Sequence, residues 1–135
     1  TLVWGGFRVA ERAQVKNLKE GFDFVEAEHD GYKKLGVSHL RKFLIDKSLV
    51  QIKDTIVNDL NYNQTAYFHL HPSLKNLIIN EHSIIIENYI TMLFTGTNVI
   101  LNKEIYEYAE GFNKIKKAIV IKVTFESNLE TSIKL

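Results

Sequence analysis

The stretch AYFHLH at residues 66–71 alternates without a break: Ala66, Phe68 and Leu70 are apolar, whereas Tyr67, His69 and His71 carry polar groups. A period of two puts the first set on one face of an extended strand and the second on the other, because successive strand side chains point to opposite sides. A helix would scatter the same residues around its circumference. The alternation returns at Phe22 and Phe24 around Asp23, and at Phe43 and Ile45 against Leu44 and Asp46. Residues 83–89 and 118–125 are rich in Ile, Val, Thr and aromatics, which suit a pleated, half-buried surface.

Turn signals separate these runs at intervals of about a dozen residues, the spacing of antiparallel meanders. They are Asp30-Gly31, Asp46-Lys47, residues 58–64, Asn80-Glu81, Gly96-Thr97-Asn98, Gly111 and Ser127-Asn128. No window sustains apolar residues at three-and-four spacing between a cap and a glycine, so no helix is predicted. Residues 74–79, after the Pro72 bend, read as a strand because Leu77, Ile78 and Ile79 favour extended backbone. No internal repeat is visible, which disfavours a propeller or solenoid. The predicted class is all-β: an antiparallel β-sandwich, or part of a larger stack of sheets.

With 135 residues, one proline, seven glycines and no linker-like tract, residues 1–135 read as a single domain. Hydrophobic residues at 45% and charged residues at 24% match an ordinary globular chain and argue against disorder. Seventeen basic against sixteen acidic residues leave a formal charge of +1, so no global field attracts nucleic acid. Apolar runs such as residues 84–86 are far shorter than the roughly 20 residues of a membrane-spanning helix, and no membrane insertion is expected. Without cysteine, disulfides and thiolate chemistry are excluded while the compartment stays open. The chain starts at Thr1 in a strand-like pattern with no basic-then-apolar leader, which reads as a fragment or a processed product.

The densest chemistry lies at residues 27–43, where His29, Asp30, Tyr32, His39 and Arg41 crowd together. Asp30-Gly31 reads first as a tight turn, glycine supplying a positive φ and Asp closing the turn with its side chain. His39 and Arg41, two apart on a strand, share a face and could contact an anion or an acidic sugar; equally, Arg41 could pair across the sheet with a carboxylate such as Asp54 and fix the register. His69 and His71 share a face with Tyr67, yet two histidines without a third ligand make an incomplete metal site, so a sheet-surface role is the simpler reading. No nucleophile elbow, phosphate-binding loop or dinucleotide fingerprint occurs.

The order of these pieces is itself informative. VWGGFRVAERA at residues 3–13, VEAEHDGY at 25–32, HLR at 39–41, IKD at 52–54 and HLHP at 69–72 together resemble the later part of the heparinase II/III-like polysaccharide lyase domain, with a fainter echo at 105–112 and 129–133. The resemblance implies an antiparallel β-domain of stacked sheets that follows a helical toroid. It also implies a parent protein that cleaves uronic-acid-containing polysaccharides by β-elimination, with acidic polysaccharide as its partner. On the same grounds the catalytic groups, and the ligands of a structural metal, lie upstream of residue 1, so this chain is expected to carry no catalytic residue and no cofactor of its own. A periplasmic or secreted location and packing against a helical domain also follow from the resemblance. An edge left open at residues 2–9, with Trp4 and Phe7, would then favour self-association. The residues expected to touch a glycan are His39, Arg41, Tyr67, His69 and His71.

Overall fold

A computed structural model describes residues 13–57 and 63–135, together with the backbone of two short paired strands, β1 (Val3–Trp4) and β2 (Arg8–Val9). The expected open edge around Trp4 and Phe7, and the centre of the expected turn at residues 58–64, lie outside the described residues. The other strands are β3 (Val15–Glu20), β4 (Phe24–His29), β5 (Ser38–Asp46), β6 (Leu49–Val57), β7 (Gln64–His69), β8 (Leu77–Ile79), β9 (Ser83–Ile86), β10 (Ile90–Gly111) and β11 (Lys114–Lys134). One 3-10 turn at Lys33–Leu35 is the sole helical element among the described residues, so the all-β expectation holds. No helix of the described residues is long and apolar enough to cross a membrane.

Every pairing is antiparallel, in the order β3-β4-β5-β6-β11-β10-β9-β8, with β7 added to β11. The two long strands build the architecture. Residues 128–134 of β11 pair with β6, while residues 120–125 of the same strand pair with β7. The sheet folds back on itself between these halves. Phe68 opposes Ile121, which opposes Lys103, and Phe94 is nine residues from Lys103 along β10, roughly 30 Å on a straight strand. The Phe68 and Phe94 rings nevertheless meet edge-on with centroids 5.6 Å apart. Between the two layers lie Ala66, Leu70, Ile84, Ile86, Met92, Phe94, Ile121, Val123, Phe125 and Leu129. The alternation at residues 66–71 is thereby explained: Ala66, Phe68 and Leu70 face the core and Tyr67, His69 and His71 face out.

Two expected turns prove to be bends inside strands. The β10–β11 register shifts between Gly96 and Ile100, with Asn98 at φ 52° and Ser127 at φ 57°. Extra residues inserted into an antiparallel pair bend it and strengthen its twist. That is how one strand serves both layers. Gly96 is required here by close approach, since a Cβ would stand 2.5 Å from the Asn128 carbonyl oxygen. The turns at Asp46-Lys47, Asn80-Glu81 and just after Gly111 do reverse the chain.

Candidate functional site

On β5, His39 and Arg41 share one face, as their spacing predicts, and that face is the one turned towards the core; β6 brings Asp54 directly opposite Arg41, and β4 brings His29 opposite His39. Asp54 is only 2% exposed. A buried carboxylate is tolerable when its oxygens are paired, and here they are. Arg41 donates from Nε to Oδ1 at 2.6 Å and from Nη2 to Oδ2 at 3.1 Å, and His39 Nε2 lies 2.6 Å from Oδ1. The cross-strand pairing of Arg41 with Asp54 is therefore the actual contact. Burial resists ionisation of Asp54, but the hydrogen bonds from His39 and Arg41 and the guanidinium charge outweigh it, holding the carboxyl below its usual range.

The chain of contacts continues outward. His29 Nε2 lies 3.0 Å from His39 Nδ1, and the Gly31 amide donates to His29 Nδ1 at 3.2 Å. Direction follows from the two ends, because the Gly31 N–H can only donate and the ionised Asp54 can only accept. With one proton on each ring, that proton sits on Nε2: Gly31 donates to His29, His29 to His39, and His39 to Asp54. No ring nitrogen of the pair is left to act as a free base. Burial, followed by the neighbouring His39 and Arg41, lowers the His29 pKa.

The Asp30-Gly31 expectation needs correction. The β4–β5 connection spans residues 30–37 rather than a two-residue turn, and the left-handed glycine is Gly36 at φ 75°, not Gly31. The Asp30 carboxylate does not close its own turn; it accepts the Gln14 amide at 2.7 Å and meets Lys16 Nζ at 3.1 Å, tying the connection to the β3 side. The turn is closed instead by the Lys33 amide on the Asp30 carbonyl, at 3.1 Å. The Gln14 amide and Lys16 hold the Asp30 carboxyl below its usual range. At Gly31 a Cβ would stand 3.1 Å from His29 Nδ1, so a side chain there would push the His29 ring by a few tenths of an ångström.

Beside the network a cleft of about 260 Å³ opens between the layers, with Leu35, Val37 and Phe125 on its apolar side and His39, Arg41 and Asp54 on its polar side. The other three expected contact residues lie elsewhere, on the outer face of β7 and just beyond it. Tyr67 is 52% exposed, His69 packs edge-on against Tyr106 with ring centroids 4.8 Å apart, and His71 does so against Tyr108 at 5.5 Å. His71 Nδ1 also accepts the Ser73 amide at 3.3 Å, and Tyr106 donates to the Leu70 carbonyl at 2.8 Å. The five residues thus form two groups on opposite faces, not one site. Sequence reasoning did not single out Tyr106 and Tyr108; their two-residue spacing on a strand was the available signal. Among the described residues, no three His, Asp or Glu side chains gather as a metal site would require.

Stacked antiparallel sheets that share two bent strands, with a polar network on an inner face, define an all-β domain of the sandwich class. Residues 1–134 match the family described as heparinase II/III-like, C-terminal, and the chain belongs to that family. Heparan sulfate lyase HepC from Pedobacter heparinus resembles it with a TM-score of 0.68 at 14% identity, over 91% of this chain and 21% of that one. A heparinase III gene product gives a TM-score of 0.64 at 12% identity, over 90% and 21%. At such identities the likeness is one of fold, and the chain spans about a fifth of the length of these enzymes. No curated protein sequence matches.

Proposed function

We propose that the chain is the C-terminal β-domain of a polysaccharide lyase whose whole protein acts on uronic-acid-containing glycans by β-elimination, and that this domain is structural rather than catalytic. The family match over nearly the whole chain carries the reading, supported by the fold it shares with two heparin-type lyases. In such a reaction a base removes the proton next to the uronate carboxylate and an acid assists the leaving oxygen. The His29–His39 pair is poorly suited to either task, since its ring nitrogens are already engaged. The domain would pack against a helical part of the parent, and the exposed Ile105, Phe112 and Ile115 of the β10–β11 arm support such a contact. Incubation of this chain with heparin, heparan sulfate and alginate is expected to give no rise in the ultraviolet absorbance of unsaturated uronate. A sustained rise, abolished by His29→Ala or His69→Ala, would show the domain to be an enzyme by itself.

A second reading is favoured by the Tyr-His ladder: Tyr67, His69, His71, Tyr106 and Tyr108 form a partly exposed surface on which sugar rings of an acidic glycan could stack, with Lys116 and Lys122, paired to Glu110 and Glu104, on the same face. His39 and Arg41 could meet a ligand only in the cleft, where Asp54 already neutralises the guanidinium. Calorimetric titration with a sulfated oligosaccharide is expected to show weak, salt-sensitive heat that Tyr67→Ala reduces several-fold, since near-neutral net charge limits long-range attraction. Absence of heat at millimolar ligand removes this reading and leaves the first intact.

A further inference from the structure

We infer that His29, held in the His29–His39 pair, is a proton-operated latch: uptake of one proton by its imidazole breaks the tie at Gly31 and loosens the Gly31–Tyr32 end of the 30–37 connection beside the cleft, while Asp30 still anchors its base to Gln14 and Lys16. The inference rests on the direction of the hydrogen-bond chain. Each neutral ring has one N–H and one lone pair, and both are committed, from the Gly31 amide through His29 and His39 to Asp54. A proton placed on His29 must go to Nδ1, where it faces the Gly31 N–H donor to donor. A proton placed on His39 must go to Nδ1, where it faces the His29 Nε2–H at 3.0 Å. A proton on His39 therefore costs the contact between the two rings, whereas a proton on His29 costs the bond to Gly31.

The connection is built to respond. Residues 31–36 are exposed, its 3-10 turn buries nothing, and Tyr32, Leu35 and Val37 form one wall of the cleft. The Tyr32 ring sits 5.4 Å from that of His29, so the ring contact and the amide bond act at the same point. The groups facing His29 are His39 and Arg41 from β5, Asp30 and Tyr32 from the connection, and Lys16 beyond Asp30 on β3; those facing His39 are His29, Arg41 and Asp54. Arg41 disfavours added positive charge and Asp30 and Asp54 favour it. Burial adds to the resistance at His29, which places release on the acid side of the ordinary histidine value of about 6.5.

Side-chain nitrogen NMR and amide hydrogen exchange on the full chain test the latch together. Both His29 and His39 are expected in the Nε2–H tautomer near neutral pH. On acidification the protection factor of the Gly31 amide, corrected for intrinsic exchange, should fall at least tenfold with the same midpoint as the His29 signals. His29→Asn offers an amide oxygen near the Nδ1 position that accepts the Gly31 N–H but does not titrate, so protection should persist down to pH 5. His29→Ala should lose protection at every pH. A wild-type Gly31 amide that stays protected while both imidazoles titrate, or a neutral His29 with its proton on Nδ1, overturns the proposal without recourse to either variant.

Discussion

Replacing Asp54 with alanine is expected to lower stability by on the order of 3 kcal/mol, because it leaves the Arg41 guanidinium without its bidentate partner and His39 Nε2–H without an acceptor. Breaking a fully buried pair costs more, but the Arg41 side chain is 39% exposed and can recover part of its hydration. For a domain of this size such a loss corresponds to a fall in melting temperature of about 10 °C. Asp54→Asn keeps an acceptor for His39 and Arg41 Nε but sets its NH2 donor to donor against Arg41 Nη2 and removes the charge, so it should recover only part of that loss, costing about 2 kcal/mol. Thermal unfolding of the three proteins at pH 7 checks the order, and equal stability of the Ala variant and the parent would remove the carboxylate from the account. The pH dependence has a definite sign. A carboxyl whose folded pKa is depressed stabilises the fold above its unfolded value, and that contribution is lost as pH falls towards the folded one. His29, also depressed, adds a separate loss that begins as pH falls below the unfolded imidazole value, where the unfolded chain binds the proton more readily. The Asp54 variants should retain the upper phase and lose the lower.

Phe94→Ala is expected to cost about 3–5 kcal/mol, a large share of the roughly 5–15 kcal/mol typical of a domain. Phe94 is 2% exposed and its ring meets Phe68 of the other layer, so truncation removes apolar contacts and leaves a cavity at the place where the folded-over halves touch. Phe22→Ala is the matching control: that ring is fully exposed, and its removal should leave the transition unchanged. A denaturation midpoint for Phe94→Ala within error of that control would mean that the two halves do not depend on each other.

Much of the candidate site could be read before any coordinates. His39 and Arg41 sit on one strand face because two-residue spacing leaves no alternative, and Asp54 was already a suitable partner for Arg41. His29 stood in the same dense stretch, but its role depended on the pairing of β4 with β5, which sets it opposite His39. Nothing in a linear sequence fixes that register, since the connecting segment is eight residues long and not a tight turn. The Tyr67–His69 face was legible for the reason that Ala66 and Phe68 were, whereas its neighbours Tyr106 and Tyr108 come from a strand some forty residues later in the chain, joined only by their common pairing to β11.

By itself, then, the sequence determined that this protein is built from strands, which side chains of residues 66–71 turn inward, and which family its motifs resemble; Phe22 and Ile45, apolar in the same alternating pattern, are exposed. All three are properties of short periods and local turn chemistry, and they survive without knowledge of neighbours. Tertiary structure decided the rest. Gly96-Thr97-Asn98 and Ser127-Asn128 carry the composition of turns yet lie within continuous strands, because each faces the other across the β10–β11 pair and the two irregularities bend the sheet together. Whether such residues end a strand or kink it depends on the partner strand's hydrogen bonds. A residue cannot encode that alone, and the same dependence on partners turned two separate histidines, a carboxylate and a glycine amide into one directed chain.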